Sequence, residues 1–329
     1  MVIDLHAHFI PQKMIDFIEH NGTLMDRHIE TRNGRLFVVT TSTGHGIPVF
    51  PGHHDIDILL SDAANMGIDK SVLSIAPLYF NYSAPAEVGL NTSQIANDWV
   101  AEQSRRYPDR VAAMMTLPMQ DTAVAMQELV RAHKELGIHA VEISCIINGK
   151  MLDDEAFFPI FEYCSTNNIL VYLHPCVHDN YPFYKRYYNN NLIGNILETS
   201  IAANHLIFGG VFEALPALRV LLSHGGGYFP YQFGRLTHGY EVRKEPKVNI
   251  PHPPAHYLKN LYYDTITHNT NALQFLVDTF GVQQVVLGTD YPYDMGDNQP
   301  VDHVNALRLT EAQRQMILCE NAQKLMPAI

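Results

Sequence analysis

The chain has 329 residues, with 22 Lys and Arg against 34 Asp and Glu, 18 His and 4 Cys. At 47% hydrophobic and 17% charged it has the composition of a folded protein, long enough for one large core or two ordinary domains. A net charge of −12 argues against a general nucleic-acid binder, and four scattered Cys without a C-x-x-C exclude a disulfide framework or a Cys-type zinc finger.

In chain order, the start (Met1–His8) has neither a basic stretch nor a long apolar one. No apolar run reaches the length of about 18 residues that a transmembrane helix needs. The expectation is a cytoplasmic protein without a signal peptide or membrane contact. Eight short, apolar or β-branched runs read as strands: Val2–Phe9, Lys70–Ala76, Val111–Leu117, Ala140–Ile147, Ile169–Leu173, Val220–Ser223, Leu261–Ile266 and Val285–Gly288. Between them, Ile56–Met66, Gly89–Tyr107, Thr122–Leu136, Glu155–Asn168, Leu192–Phe208 and Asn271–Phe280 carry helical spacing. Gly67, Gly137 and Gly281 follow three of these helices as C-terminal caps, and Asp121 and Asp154 stand where N-caps belong.

Near-continuous apolar strands alternating with amphipathic helices imply parallel pairing with both faces covered. Eight such units predict an α/β fold, a (β/α)8 TIM barrel over residues 1–329 with C-terminal helices. The rival is a doubly wound sheet, whose Gly-rich loop after the first strand is replaced here by H-A-H-F-I-P-Q-K. One stretch, about residues 21–54, breaks the rhythm. Asn33-Gly34 between H-I-E-T-R and R-L-F-V-V-T-T signals a β-hairpin, expected as a small insertion over the barrel mouth. Residues 244–256 contain four Pro and read as a surface loop.

Catalytic groups of such a barrel sit at the C-terminal strand ends. Strand one ends Asp4-Leu5-His6-Ala7-His8, and alternation directs His6 and His8 to one face, which suits two ligands of one metal. Two chance His in a His-rich chain is the competing reading. Strand five ends at His174, which alone could be a packing residue. Strand six ends at His224, followed by three Gly that permit close backbone approach. Strand eight ends at Asp290, which alone could be a helix N-cap. Together these residues form a ring of nitrogen and oxygen donors of the kind a catalytic divalent metal takes. Such a metal lowers the pKa of bound water toward neutrality, with His224 as acid/base beside it.

The motifs D-L-H-A-H, L-H-P, S-H-G-G-G-Y-F-P-Y-Q-F-G-R-L-T-H-G-Y and L-G-T-D-Y-P-Y resemble the amidohydrolase superfamily. With T-L-P-M-Q at Thr116–Gln120, F-G-G-V-F-E at Phe208–Glu213 and T-H-N at Thr267–Asn269, the chain is most similar to the 2-amino-3-carboxymuconate 6-semialdehyde decarboxylase branch. The resemblance implies a metal-dependent, non-oxidative decarboxylase of a small unsaturated or aromatic carboxylic acid. It carries one divalent metal over to His6, His8, His174 and Asp290, zinc first and manganese second. His224 takes the place of the catalytic acid/base, with Asp290 also catalytic. Arg235 matches an Arg that grips a substrate carboxylate across a homodimer interface. His178 and His268, just past strand tips five and seven, are further substrate-contact candidates.

Departures concern the substrate side. The branch's second carboxylate-binding Arg is Val38 here, with Arg32 and Arg35 nearby. Cys176-Val177-His178 stands where the branch has Trp-Asp, and Asn180–Asn191 is rich in Tyr and Asn. The expectation is similar chemistry on a different substrate. The alternative is a hydrolase opening a lactone or amide at the same site. A non-catalytic, metal-bearing barrel is a third reading, which a retained acid/base argues against. Weaker candidates are His53-His54, where Asp55 capping a helix is the plainer reading; Tyr79, Phe80 and Tyr82 as an apolar wall; and Cys176, read as a bystander thiol.

Overall fold

The computed structural model describes residues 1–176, 184–327 and 329. Its strands in chain order are β1 (Ile3–Phe9), β2 (Arg27–Arg32), β3 (Arg35–Thr40), β4 (Gly46–Pro48), β5 (Lys70–Ile75), β6 (Val111–Ala113), β7 (Met115–Thr116), β8 (Ala140–Ser144), β9 (Leu170–His174), β10 (Val220–Leu222), β11 (Leu261–Asp264) and β12 (Val285–Val286). Strand β1 pairs parallel with β5 and β5 with β6, while β7 to β12 form a second parallel run in sequence order. Two joints close the ring. The Met114 N–H donates to the Leu73 carbonyl at 2.9 Å, so β6 and β7 are one stave interrupted at Met114. The Leu5 N–H donates to the Leu287 carbonyl at 2.9 Å and the His8 N–H to Tyr291 at 2.8 Å, which joins β12 to β1. The result is an eight-stave parallel TIM barrel.

The staves form because their apolar residues have two buried faces to fill. The predicted helices lie between them, among them Ala86–Arg106, Thr122–Lys134, Ile196–Phe208 and Thr270–Phe280. Asp55, Asp121 and Asp154 accept hydrogen bonds from backbone N–H groups two or three residues further on, in the following helical turns, so each works as an N-cap. Two of the longer helices carry no assignment from the sequence, Gln12–Asn21 and Phe229–Val242. The second follows the triple glycine. Two Gly inside it lowered its helical signal.

Residues 27–48 fold as an antiparallel sheet in the order β2-β3-β4. Asn33 and Gly34, at φ 52° and 76°, make the turn between β2 and β3. A third strand extends the two-stranded signal, because the chain reverses again at Thr40–His45 and returns Gly46–Pro48 beside Phe37–Val39. Among the described residues, no helix is long and apolar enough to cross a membrane.

The barrel interior is filled from below by Ile3, Leu5, Val72, Met114, Leu170 and Leu221, closed underneath by Ala322, Leu325 and Met326. The ring of Tyr172 lies above them, 5.1 Å from that of His6.

Candidate metal centre and cavity

Strict alternation along β1 would carry Ile3 and Leu5 into the barrel and His6 and His8 out of it. The structure avoids this. The register against β5 shifts between Asp4 and Ala7. Before the shift, Ile3 and Leu5 pack in the barrel interior; after it, Ala7 and Phe9 pack in the outer layer. The irregularity reverses the strand's facing within one residue, so both His point inward.

Each of these imidazoles is anchored from outside through Nδ1. His6 donates to Asp264 Oδ2 at 2.8 Å and His174 to the Pro175 carbonyl at 2.8 Å, while His8 Nδ1 faces the Ser74 hydroxyl at 3.2 Å. The Nε2 atoms turn inward. Those of His6 and His8 are 3.1 Å apart and stand 3.3 and 3.2 Å from Asp290 Oδ1. His174 Nε2 and Asp290 Oδ1 are buried with no hydrogen-bond partner. A buried polar atom left unpaired is costly. Three imidazole nitrogens and one carboxylate oxygen aimed at the same point suit a divalent cation, and the outer Nδ1 contacts are the ones metal-ligating His usually make.

His224 differs. Its Nδ1 is buried without a partner, and its Nε2 is 3.5 Å from Asp290 Oδ2. Donor atoms of His6, His174, His224 and Asp290 all lie within 4.8 Å of one another. The centre therefore gathers five donors, and His224 stands inside the group.

Electrostatics follow from this crowding. Burial pushes His6 down, but Asp290 and Asp264 more than offset it and raise the imidazole to about 10. His8 is lowered to about 4 and His174 well below its ordinary value, both chiefly by burial. Burial pushes Asp290 up, yet the surrounding imidazoles hold it well below the usual carboxylate range. The pair of carboxylates beside His6 thus favours positive charge at its Nε2.

Asp264 is the residue that sequence reading missed. At the tip of β11 it accepts from His6 Nδ1, from the His224 N–H at 2.9 Å, from the Gly225 N–H at 2.7 Å and from the Ile266 N–H at 3.1 Å. One buried carboxylate therefore sets both the His6 ring and the turn that presents His224. His224, His268 and Asp290 all have left-handed backbones, at φ 55°, 51° and 58°. Side chains rarely adopt that region, and its use at three tips of one mouth marks a functional end. The glycines after His224 are required by space: a Cβ on Gly226 would lie 2.7 Å from the Tyr263 ring, and one on Gly227 2.1 Å from the Ile196 carbonyl oxygen. Glu142 is a second missed carboxyl. It is fully buried, 3.9 Å from His8 Nδ1, and burial raises it well above its usual range.

A cavity of about 580 Å³ opens from His224 and Asp290 between the tips of β10 and β11 and residues 191–196. His268 lines it. Arg235 is exposed on the helix Phe229–Val242 and is not among the lining residues. His178 lies outside the described residues. Val38 is buried in β3, paired with Ile29 and Ile47. Arg32 bonds Glu30 at 2.7 Å, and Arg35 stacks over Phe50. The inward-reaching cation of the small sheet is Arg27, which donates to the Thr40 hydroxyl and, at 3.3 Å, to the Leu78 carbonyl. His53 is buried, its Nδ1 accepting from the Phe50 N–H at 3.1 Å.

A match to the amidohydrolase family covers residues 3–327. The chain belongs to the amidohydrolase family. Within it, the chain falls in the 2-amino-3-carboxymuconate-6-semialdehyde decarboxylase-like branch. A decarboxylase of that name from Dictyostelium discoideum is 33% identical over 97% of this chain and 90% of its own length. A gamma-resorcylate decarboxylase from Polaromonas is 29% identical over 79% of this chain and 83% of its own. Among solved structures, 5-carboxyvanillate decarboxylase from Sphingomonas paucimobilis superposes with a TM-score of 0.84 at 22% identity, covering 99% of this chain and 98% of that one. A dihydroxybenzoic acid decarboxylase from Polaromonas, solved with manganese and 2-nitroresorcinol, superposes with a TM-score of 0.76 at 24% identity over 98% of this chain and 96% of that one. At these identities the superpositions show the shared barrel.

Proposed function

We propose that residues 1–329 form one catalytic domain in which His6, His8, His174 and Asp290 hold a divalent metal, zinc first and manganese second, with His224 as the acid/base. The protein is a metal-dependent carboxy-lyase acting on a small unsaturated or aromatic carboxylic acid. The observation that carries the site assignment is the contrast in anchoring. Three imidazoles have Nδ1 held from outside and Nε2 turned to Asp290, whereas His224 Nδ1 has no such hold. His224 also lines the open cavity, where His6, His8 and His174 do not.

A bound divalent cation supplies Lewis acidity to a substrate oxygen. The chain's own residues do the rest. Decarboxylation breaks the bond between the carboxyl carbon and the substrate skeleton, leaves the electron pair on the skeleton carbon, and needs a proton there. His224 Nε2, at the cavity floor and steadied by Asp290, is placed to deliver that proton. His268 and His178 contact the substrate. Arg235, exposed on its own chain, anchors a carboxylate in the site of a neighbouring copy, as a planar guanidinium does by two parallel hydrogen bonds. The small sheet β2-β3-β4 is an insertion covering the mouth, which its bond from Arg27 to Leu78 supports. The working form is a cytoplasmic homodimer; the described structure has four unpaired Cys, which fits a reducing compartment.

The test is product analysis of the metal-loaded protein in oxygen-18 water, on a panel of unsaturated and aromatic acids and of lactones and amides. Labelled CO₂ from a carbon-13 carboxyl group, with loss of the carboxyl from the product, supports the reading. Ring opening or amide cleavage with oxygen-18 uptake makes the protein a hydrolase.

A further inference from the structure

We propose that Glu142 is a positioning residue for the metal ligand His8, acting through the Ser74 hydroxyl and through ordered water held between Glu142, Thr116 and Tyr172. The proposal rests on His8 being a ligand and on nothing about the substrate.

The barrel register carries the first part of the argument. Thr116, Glu142 and Tyr172 are cross-strand neighbours on β7, β8 and β9. The residues before them, Met115, Val141 and Val171, pack in the outer layer, so alternation turns the three polar side chains into the barrel. All three are buried, Glu142 and Tyr172 completely. Thr116 Oγ1, both Glu142 carboxyl oxygens and the Tyr172 hydroxyl have no hydrogen-bond partner among the described residues. Unpaired buried polar atoms are costly, and here they share one level of one core. A bridging water, which both donates and accepts, removes that cost. A second cation suits the place less well, because Glu142 is its only carboxyl and the proposed divalent site lies directly above.

The second part is the path to His8. Its Nδ1 is 3.2 Å from the Ser74 hydroxyl and 3.9 Å from Glu142 Oε1. The longer distance exceeds a hydrogen bond and is the kind of span that water bridges. Ser74 also reaches the Ala7 carbonyl, but at 3.4 Å. Its hydroxyl stands near Glu142 as well, close enough to favour the charged carboxyl. A carboxyl accepts hydrogen bonds whether or not it carries its proton. With Glu142 or its water as acceptor, the Ser74 O–H points away from His8. The Ser74 oxygen then accepts from His8 Nδ1–H, and Nε2 keeps its lone pair for the cation. Without Glu142, only the long Ala7 contact gives the Ser74 hydroxyl a direction. The three imidazoles are thus backed by three acceptors: the Asp264 carboxylate, the Pro175 carbonyl, and a hydroxyl that Glu142 orients.

The experiment compares Glu142→Gln, which keeps an acceptor, with Glu142→Leu, which removes it, and with Ser74→Ala, which cuts the path at its middle. Manganese affinity is measured by calorimetry, and the His8 Nδ1–H by proton NMR of the zinc-loaded protein. Glu142→Leu and Ser74→Ala should each lose about 10- to 100-fold in manganese affinity, as loss of a support to a ligating imidazole does. In both, the Nδ1–H signal should exchange faster with solvent, while Glu142→Gln stays near wild type on both measures. Ser74→Ala carries the test should Glu142→Leu not fold. A fourth variant, Tyr172→Phe, is unfolded thermally without metal. Its midpoint should fall if the hydroxyl bonds water, and rise if the hydroxyl is unpaired in a dry core. Wild-type affinity and an unchanged Nδ1–H signal in the Leu and Ala variants overturn the positioning role, and a raised midpoint in Tyr172→Phe overturns the water. Either result leaves His8 a ligand. Wild-type manganese affinity in His8→Ala sinks the ligand assignment, and this proposal with it.

Discussion

Below Tyr172 the barrel interior is filled by Ile3, Leu5, Val72, Leu170 and Leu221; above it, the staves carry His6, His8, Ser74, Glu142, His174 and Asp264. Both halves are buried, but they are stabilised differently. The lower half gains from apolar area removed from water. The upper half buries imidazoles and carboxyls, several without partners, and holds three strand tips in left-handed conformations. The lesson is a division of labour along each strand. The packed lower end supplies the stability that lets the upper end stay polar and underpaired, ready for a cation and a substrate.

Four substitutions sharpen or break this division. The largest effect is expected at His224→Ala. It should reduce kcat by about 10²- to 10⁴-fold, as loss of a general acid does, while calorimetric metal affinity stays near wild type. A parallel collapse of metal affinity would make His224 a ligand.

Asp264→Asn comes next. The amide oxygen can still accept from the Gly225 and Ile266 N–H groups, but an NH2 then faces His6 Nδ1 and the His224 N–H, and the anionic partner of His6 is gone. Metal affinity should fall by about 10- to 100-fold, the usual consequence of losing such a support, with a near-native circular dichroism spectrum. Unchanged metal affinity would reduce Asp264 to a turn former.

Leu221→Ala tests the lower half. The cavity it leaves should cost about 2–5 kcal/mol in denaturant unfolding, with metal affinity preserved because Leu221 lies below the ring. Loss of metal binding in the folded variant would mean that the two halves are not separable.

The smallest effect concerns Glu198, which accepts from the Cys176 N–H at 3.3 Å behind the β9 tip. Burial raises its carboxyl from the ordinary 4.5 to about 7. The folded chain therefore binds this proton more tightly than the unfolded chain does, and its contribution to stability, full below pH 4.5, is lost as pH rises through about 7. Glu198→Gln should remove that slope, so the variant gains stability relative to wild type between pH 5 and pH 8. A difference that is flat across that range contradicts the assignment.

The sequence made much of the upper half readable, because donors at strand tips stand next to apolar runs. D-L-H-A-H, L-H-P, S-H-G-G-G and G-T-D each put a donor after a buried strand. The facing of His6 and His8 came out as alternation predicted, though alternation was not the cause; the register shift after Asp4 was invisible, since a bulge depends on the neighbouring strand. Asp264 and Glu142 were hidden for a related reason. Each lies inside an apolar run, and its meaning depends on residues far away in sequence, His6 being 258 positions from Asp264. The third strand of the small sheet escaped because Gly46–Pro48 is too short to show alternation. Helix Phe229–Val242 escaped because its Gly and aromatic content resembles a loop.

The most direct test of the central claim is anomalous diffraction from crystals of the manganese-loaded protein. The account predicts one ion per chain bonded to His6, His8 and His174 Nε2 and to Asp290, with His224 facing it across the cavity floor and not bonded. An ion held by His6, His174, His224 and Asp290 with His8 excluded, or no ion in the ring at all, would contradict it.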